Sequence, residues 1–257
     1  MNPTIETLLG HRSIRRFQNT PVGQDELDLI LQAATQASTW GNMQAYSIIV
    51  TRDRKMKQKL LEPHLRQSMI VDAPIFLTFC ADFHRMRQWL KLSDAPLNFD
   101  NYISFMIAGI DAVLASQTAA IAAESLGLGI CYMGTTLVSA HHIGEIFGCP
   151  ENVVPIVGFA MGYPNEKPGR KDRLPMRAIV HDEVYREFSD SEIQSIYRNK
   201  NDEGLQRNQK EPESAKQIEI LNIKNLAQVY TIMKYTRASH IEYSREFLRY
   251  LEAKNFF

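Results

Sequence analysis

The chain has 257 residues, and its 29 lysines and arginines are matched by 29 aspartates and glutamates, so no net field draws it toward nucleic acid or an anionic membrane. Electrostatic selectivity therefore has to be local. Three cysteines, Cys80, Cys131 and Cys149, are odd in number and widely spaced with no CxxC pair, which argues against a disulfide framework or zinc knuckle and for a reducing, cytoplasmic setting.

The N-terminus has neither the basic region nor the apolar run of a secretion signal. A short helix is predicted over Thr4 to Leu9, followed at once by His11-Arg12-Ser13-Ile14-Arg15-Arg16-Phe17, where four of seven residues are cationic or can become so. After Pro21 a helix runs from about Asp25 to Ala37, because Leu27, Ile30, Leu31 and Ala34 share one face. Ser38 to Gln44 breaks that period, and Tyr46 to Thr51 continues as a β-branched strand. Arg54 to Leu61 reads as a charged helix, and Ile75 to Cys80, between Pro74 and Asp82, as a buried strand.

Tyr102 to Leu126 is apolar on nearly every side, as expected of a helix inside a sizeable core. It is also about long enough to span a bilayer, but Asp111, Ser116, Gln117, Thr118 and Glu124 lie within it. An unpaired carboxylate near its middle costs at least ~2.5 kcal/mol in lipid, so a core helix is the better reading. Gly127 suits the left-handed position that closes a helix, and Ile130 to Met133 follows as strand. After His142 a short amphipathic helix leads to Gly148-Cys149-Pro150, and Val153 to Met161 is a further buried strand ending at Gly162.

Helices alternate with strands up to about residue 188, which we take as one core. Residues 189–217 change to Asn, Gln, Glu, Lys and Ser and read as a linker or mobile flap. Residues 218–257 regain helical period through Leu221, Leu226, Val229, Ile232 and Met233, then Ile241, Phe247, Leu248 and Leu251. That stripe needs the core or a partner subunit to cover it.

The marks of several enzyme classes are missing: no G-x-S-x-G elbow, no G-x-x-x-x-G-K-[ST] loop, no H-E-x-x-H helix. His141 and His142 are sequential, so on a helix their rings diverge by about 100° and no metal is expected. Gly127-Leu128-Gly129 follows a helix and precedes a strand, the wrong order for a dinucleotide fold. What remains is the basic stretch at 11–17, a second one at Gly169-Arg170-Lys171-Asp172-Arg173-Leu174-Pro175, the polar loop at 38–44, Gln67, and the turn Tyr132-Met133-Gly134. Two basic clusters brought together can enclose one phosphate, the arginines through their planar forks. A cofactor with a phosphate at one end and a flat, hydrogen-bonding ring at the other would use all five features. FMN has that shape, and it carries its own redox chemistry, leaving the protein to bind, orient and tune it.

His11-Arg12-Ser13-Ile14-Arg15, Ile121-Ala122-Ala123-Glu124-Ser125-Leu126-Gly127-Leu128-Gly129, Tyr132-Met133-Gly134 and Lys171-Asp172-Arg173-Leu174-Pro175 together resemble the nitroreductase superfamily. The resemblance runs from Thr4 to Tyr185 and is nearest to the bacterial NADPH-dependent, oxygen-insensitive nitroreductases and flavin reductases. It implies an α+β fold, a three-layer sandwich with a central, mainly antiparallel sheet and a long helix in a homodimer interface that holds FMN. It also implies that His11, Arg12 and Ser13 hold phosphate and ribityl oxygens together with Lys171 and Arg173. Arg15 would stand beside the N1 and O2 edge, where the reduced flavin gathers negative charge. Thr39 and Gln67 would touch the ring, and the backbone of the Tyr132 to Gly134 turn would pass near N5. Taken alone, Gln67 reads as a surface residue and Tyr132 as a plain strand aromatic.

Two departures stand out. Relatives often carry a second glycine after Gly134 where this chain has Thr135-Thr136, and Trp40-Gly41-Asn42 replaces a run of small hydroxyl residues. Relatives use an arginine in the 189–217 region for the extra phosphate of NADPH; Arg198 and Arg207 are both present here, and the resemblance assigns neither. The implied activity is ping-pong hydride transfer from NAD(P)H through FMN to nitroaromatics, quinones, flavins or azo compounds. The alternatives are a flavin reductase supplying reduced FMN to a partner enzyme, and a flavin-binding redox sensor without rapid turnover.

Overall fold

Alternation of apolar side chains over four short runs builds the sheet at the centre of this computed structural model, which describes residues 2–257. The strands are β1 (Tyr46–Thr51), β2 (Ile75–Asp82), β3 (Gly129–Tyr132) and β4 (Val153–Gly162), all antiparallel, in the order β1-β2-β4-β3. All eight residues of β2 are buried, because helices cover both faces of the strand.

On one face, Ile75, Leu77, Phe79, Ile130, Phe159 and Met161 pack against α2 (Gln24–Thr35) and α6 (Tyr102–Ser125). On the other, Phe76, Cys131 and Ala160 meet Leu60 of α3 (Arg54–Leu61), Met69 and Ile70 of α4 (Met69–Asp72), and Ile143 of α8 (Ala140–Phe147). Strand residues one apart thus feed opposite cores, giving the three expected layers. The remaining helices of this region are α1 (Pro3–Gly10), α5 (His84–Leu92) and α7 (Thr135–Val138). Gly127 takes φ +82° just beyond α6, as its place in the sequence predicts.

The chain divides into two compact units, residues 2–170 with 243–257, and residues 171–242. In the first, α12 (Arg237–Ala253) brings Tyr250 and Leu251, followed by Phe256, into a core with Phe83, Phe105 and Ala108. Asn152 fastens this end, donating from its backbone N to Lys254 O and from Nδ2 to Asn255 O, both at 2.8 Å.

The second unit holds α9 (Asp190–Lys210), α10 (Pro212–Ile220), α11 (Leu226–Gln228) and a π-helical turn at Val229–Lys234. Ile218, Ile223, Leu226 and Val229 form its small core. Gly204 lets α9 approach closely, since a Cβ there would lie 2.4 Å from Leu226 Cδ2. Residues 189–217, expected to be a linker or flap, are therefore helical over most of their length. The start signal is present as a capping box, in which Ser189 and Glu192 satisfy each other's backbone N–H groups. Few apolar residues mark the stretch because α9 buries only Ile196 and Gly204. The stripe expected over 218–257 is divided in turn: Leu226 and Val229 serve the second unit, Leu251 the first, while Leu221, Ile232 and Leu248 are exposed.

Candidate functional site

The basic heptad is laid along the end of the sheet. Ile14 N donates to Ile130 O (2.8 Å), Phe17 bridges to Pro164, and Gln18 N donates to Tyr163 O (2.8 Å). Ile14 and Phe17 are buried by this pairing, and Gly129 permits it, because a Cβ there would stand 2.5 Å from Ile14 Cγ1. The polar residues between them are left outside the core. His11, Arg12 and Ser13 are half-buried, and Arg15 is exposed.

His11 Nδ1 lies 2.7 Å from Glu124 Oε1 near the end of α6. Burial raises the Glu124 carboxyl above its ordinary range, and the His11 bond works against that rise. Arg12 donates to Gly10 O (3.3 Å) and Pro168 O (3.4 Å). A cavity of about 420 Å³ opens here, lined by His11, Arg12, Glu124, Gly127, Glu166 and Lys167 among others. The backbone N–H groups of Arg15 and Arg16 both donate to Glu166 Oε1, at 2.5 and 3.1 Å, so this carboxylate fixes the loop while the arginine side chains stay outside.

Thr39 is half-buried and precedes a single tight turn, Trp40–Asn42, in which Gly41 and Asn42 are left-handed. Asp111, wholly buried on α6, holds both ends of that loop: Oδ1 accepts from Trp40 N (2.9 Å) and Oδ2 from Ala45 N (3.1 Å). Trp40 itself is exposed.

Gln67 is half-buried and donates from Nε2 to His64 O at 3.2 Å. His64 in turn reaches Thr135 Oγ1 through Nδ1 at 2.7 Å, next to Gly134. Tyr132 packs its ring edge-on to Phe159, with its hydroxyl 3.2 Å from Ser116 Oγ. Burial pushes that phenol up to about 12. Its side chain thus packs as a strand aromatic. Gly134 is exposed at φ −61°, and a Cβ there would meet nothing within 4 Å. Neither backbone conformation nor protein packing calls for glycine at this position.

In the second unit, Lys171 and Arg173 are exposed. Arg173 Nη1 donates to Lys171 O (3.3 Å) and Asp172 O (3.2 Å), and Asp172 pairs with Arg207 at 3.7 Å. Arg198 lines a cavity of about 570 Å³ with Tyr197, Asn201, Leu226 and Tyr230.

The roles of His64, Asp111 and Glu166, and the His11 partner of Glu124, are not evident from the sequence. A carboxylate in mid-helix was the visible sign for Asp111; His64 and Glu166 carry none. The rings of His141 and His142 do not diverge as expected. They stack 5.3 Å apart at 27°, His141 pairing with Glu145, because side-chain torsions outweigh the angular step between neighbouring helix positions.

The profile described as the Nitroreductase family matches residues 8–163. The FMN reductase (NADPH) of Bacillus subtilis (strain 168) is 39% identical over 187 residues, covering 72% of this chain and 75% of that protein. The oxygen-insensitive NADPH nitroreductase of Salmonella typhimurium is 36% identical over 185 residues, covering 72% and 75%. The solved structure of B. megaterium NfrA2 superposes with a TM-score of 0.85 at 33% identity, covering 100% of this chain and 98% of that one.

Proposed function

Because the chain belongs to the nitroreductase family, we propose that it is an FMN-dependent NAD(P)H oxidoreductase acting on electron-poor acceptors such as nitroaromatics, quinones and flavins. FMN, when bound, would supply the redox chemistry for hydride transfer between NAD(P)H and the acceptor. The observation that carries the reading is the cavity that His11, Arg12 and Lys167 line together with Glu124 and Glu166, and the open space over Gly134 adds to it.

The chain's own residues divide the work of binding. Glu124 pairs with His11 Nδ1; an imidazolium held there would donate its Nε2–H to a phosphate oxygen, and Arg12 would supply the fork beside it. Ser13 joins them, and the resemblance assigns Lys171 and Arg173 to the same phosphate. Arg15, held through its backbone N–H by Glu166 and exposed, would turn its guanidinium to the N1 and O2 edge. Thr39 and Gln67 meet the ring, and the Tyr132 to Gly134 backbone lies along it. The α6 helix supports a homodimer: Ile103, Met106, Ile110 and Val113 form an exposed apolar stripe at helical spacing, a surface that association would cover. The cytoplasmic setting belongs to the same reading. A flavin reductase that hands reduced FMN to a partner is the second reading, favoured by the B. subtilis relative's name.

Titration with FMN and with riboflavin tests the phosphate site. The wild type binds FMN more tightly, and Arg12→Ala or Arg173→Ala removes the preference while changing riboflavin affinity little. Equal affinity for both flavins in the wild type contradicts the assignment.

A further inference from the structure

His64 is fully buried at the end of the loop that carries Gln67, and its two ring nitrogens differ in their surroundings. Nδ1 lies 2.7 Å from Thr135 Oγ1, whereas Nε2 is buried with no hydrogen-bond partner among the described residues. Burial lowers the imidazole pKa to about 4, so the ring is neutral near pH 7 and carries one proton. A buried N–H without an acceptor is a costlier orphan than a bare ring nitrogen without a donor. The proton therefore belongs on Nδ1, which donates to Thr135. Thr135 then spends its lone pair on His64 and keeps its own hydroxyl proton for another acceptor.

The same residue holds the other side of the site. His64 O accepts from both the backbone N and the side-chain Nε2 of Gln67, each at 3.2 Å. Leu65 and Arg66 between them take φ of 53° and 56°, a left-handed pair that is strained for non-glycine residues and persists only where the surroundings hold it. Ser139 Oγ to Pro63 O (2.8 Å) provides a second tie between the two segments. Two positions that lie far apart in sequence, Gln67 and the Gly134-Thr135 turn, are thus set by one side chain and its own carbonyl.

We infer that His64 is a positioning residue for the flavin ring, presenting the Thr135 hydroxyl as a hydrogen-bond donor while its carbonyl fixes the Gln67 amide. The inference rests on the flavin reading above. It assigns a role to Thr135 where relatives often have glycine: a side-chain donor, oriented from behind, at the turn that faces the ring.

Four single variants and one double variant test it by FMN affinity and by the visible absorption bands of the bound flavin, which report contacts to the ring and not protein stability. His64→Leu and Thr135→Val each weaken FMN binding about five-fold to ten-fold and shift the bands. His64→Asn, whose amide nitrogen can stand in for Nδ1, and Thr135→Ser, which keeps the hydroxyl, return both readouts toward wild type. Combining His64→Leu with Thr135→Val adds no further loss, since both delete one interaction. If His64→Leu does not fold, Thr135→Val removes the same bond from its half-buried end. A wild type that binds FMN while His64→Leu or Thr135→Val leaves affinity and spectrum unchanged overturns the inference alone, as do additive losses. A wild type that binds no flavin overturns the flavin reading as well.

Discussion

Asp111, in the middle of the longest helix, bonds the backbone of Trp40 across 71 positions of sequence, with Oδ1 2.9 Å from Trp40 N. Its other oxygen holds Ala45 N, so one carboxylate closes the loop that presents Thr39. Asp111→Ala leaves two N–H groups without their acceptor and is expected to destabilise the protein by about 3 kcal/mol. Asp111→Asn keeps one acceptor and is expected to cost roughly half of that. Urea unfolding measures both, and equal stability of Asp111→Ala and wild type contradicts the role.

Two glycines separate a structural demand from a ligand demand. Gly129→Ala drives a Cβ to within 2.5 Å of Ile14 Cγ1 and should destabilise by about 1–3 kcal/mol while loosening the basic loop. Gly134→Ala meets no protein atom within 4 Å and should change apo stability by less than about 0.5 kcal/mol. Its FMN affinity should nevertheless fall. Thermal unfolding without flavin, set beside FMN titration, checks the pair.

His64 makes stability depend on pH in a definite direction. Its pKa falls from 6.5 in the unfolded chain to about 4 in the fold, so between those values the unfolded state binds a proton that the native state refuses. The contribution is complete above pH 6.5 and is lost as the pH falls toward 4, amounting to roughly 3 kcal/mol over that window. His64→Leu should flatten this part of the stability profile, whatever its effect on flavin. Denaturant midpoints at pH 7, 5.5 and 4.5 provide the comparison.

Placing a charge in the exposed stripe of α6 tests the homodimer. Ile110→Asp puts a carboxylate among Met106, Val113 and Leu114, all partly exposed in the single chain. Sedimentation should show wild-type dimer and variant monomer, since a buried unpaired charge opposes association by several kcal/mol, about 3–5.

Much of the fold was legible because it follows local period. The bounds of β1 and α3 agree with the sequence reading, and Gly127 stands in the left-handed position expected of it. The 189–217 segment was not legible, because a solvated helix with little apolar face looks like a linker unless its Ser189 and Glu192 cap is weighed. Of the proposed site, the basic residues His11 and Arg12 and the turn at Gly134 are the parts that residue type and order single out. His64, Glu166 and the anchoring role of Asp111 are not among them, since each owes its function to a partner 60 or more positions away, as with His64 and Thr135 at 71.

Anaerobic addition of NADPH to the purified protein loaded with FMN probes the flavin assignment and the hydride transfer together. The yellow absorption of the bound flavin should bleach rapidly and stoichiometrically, and return when a nitroaromatic or quinone is added. A protein that takes up no FMN, or whose bound flavin stays oxidised with both NADPH and NADH, contradicts the proposed function.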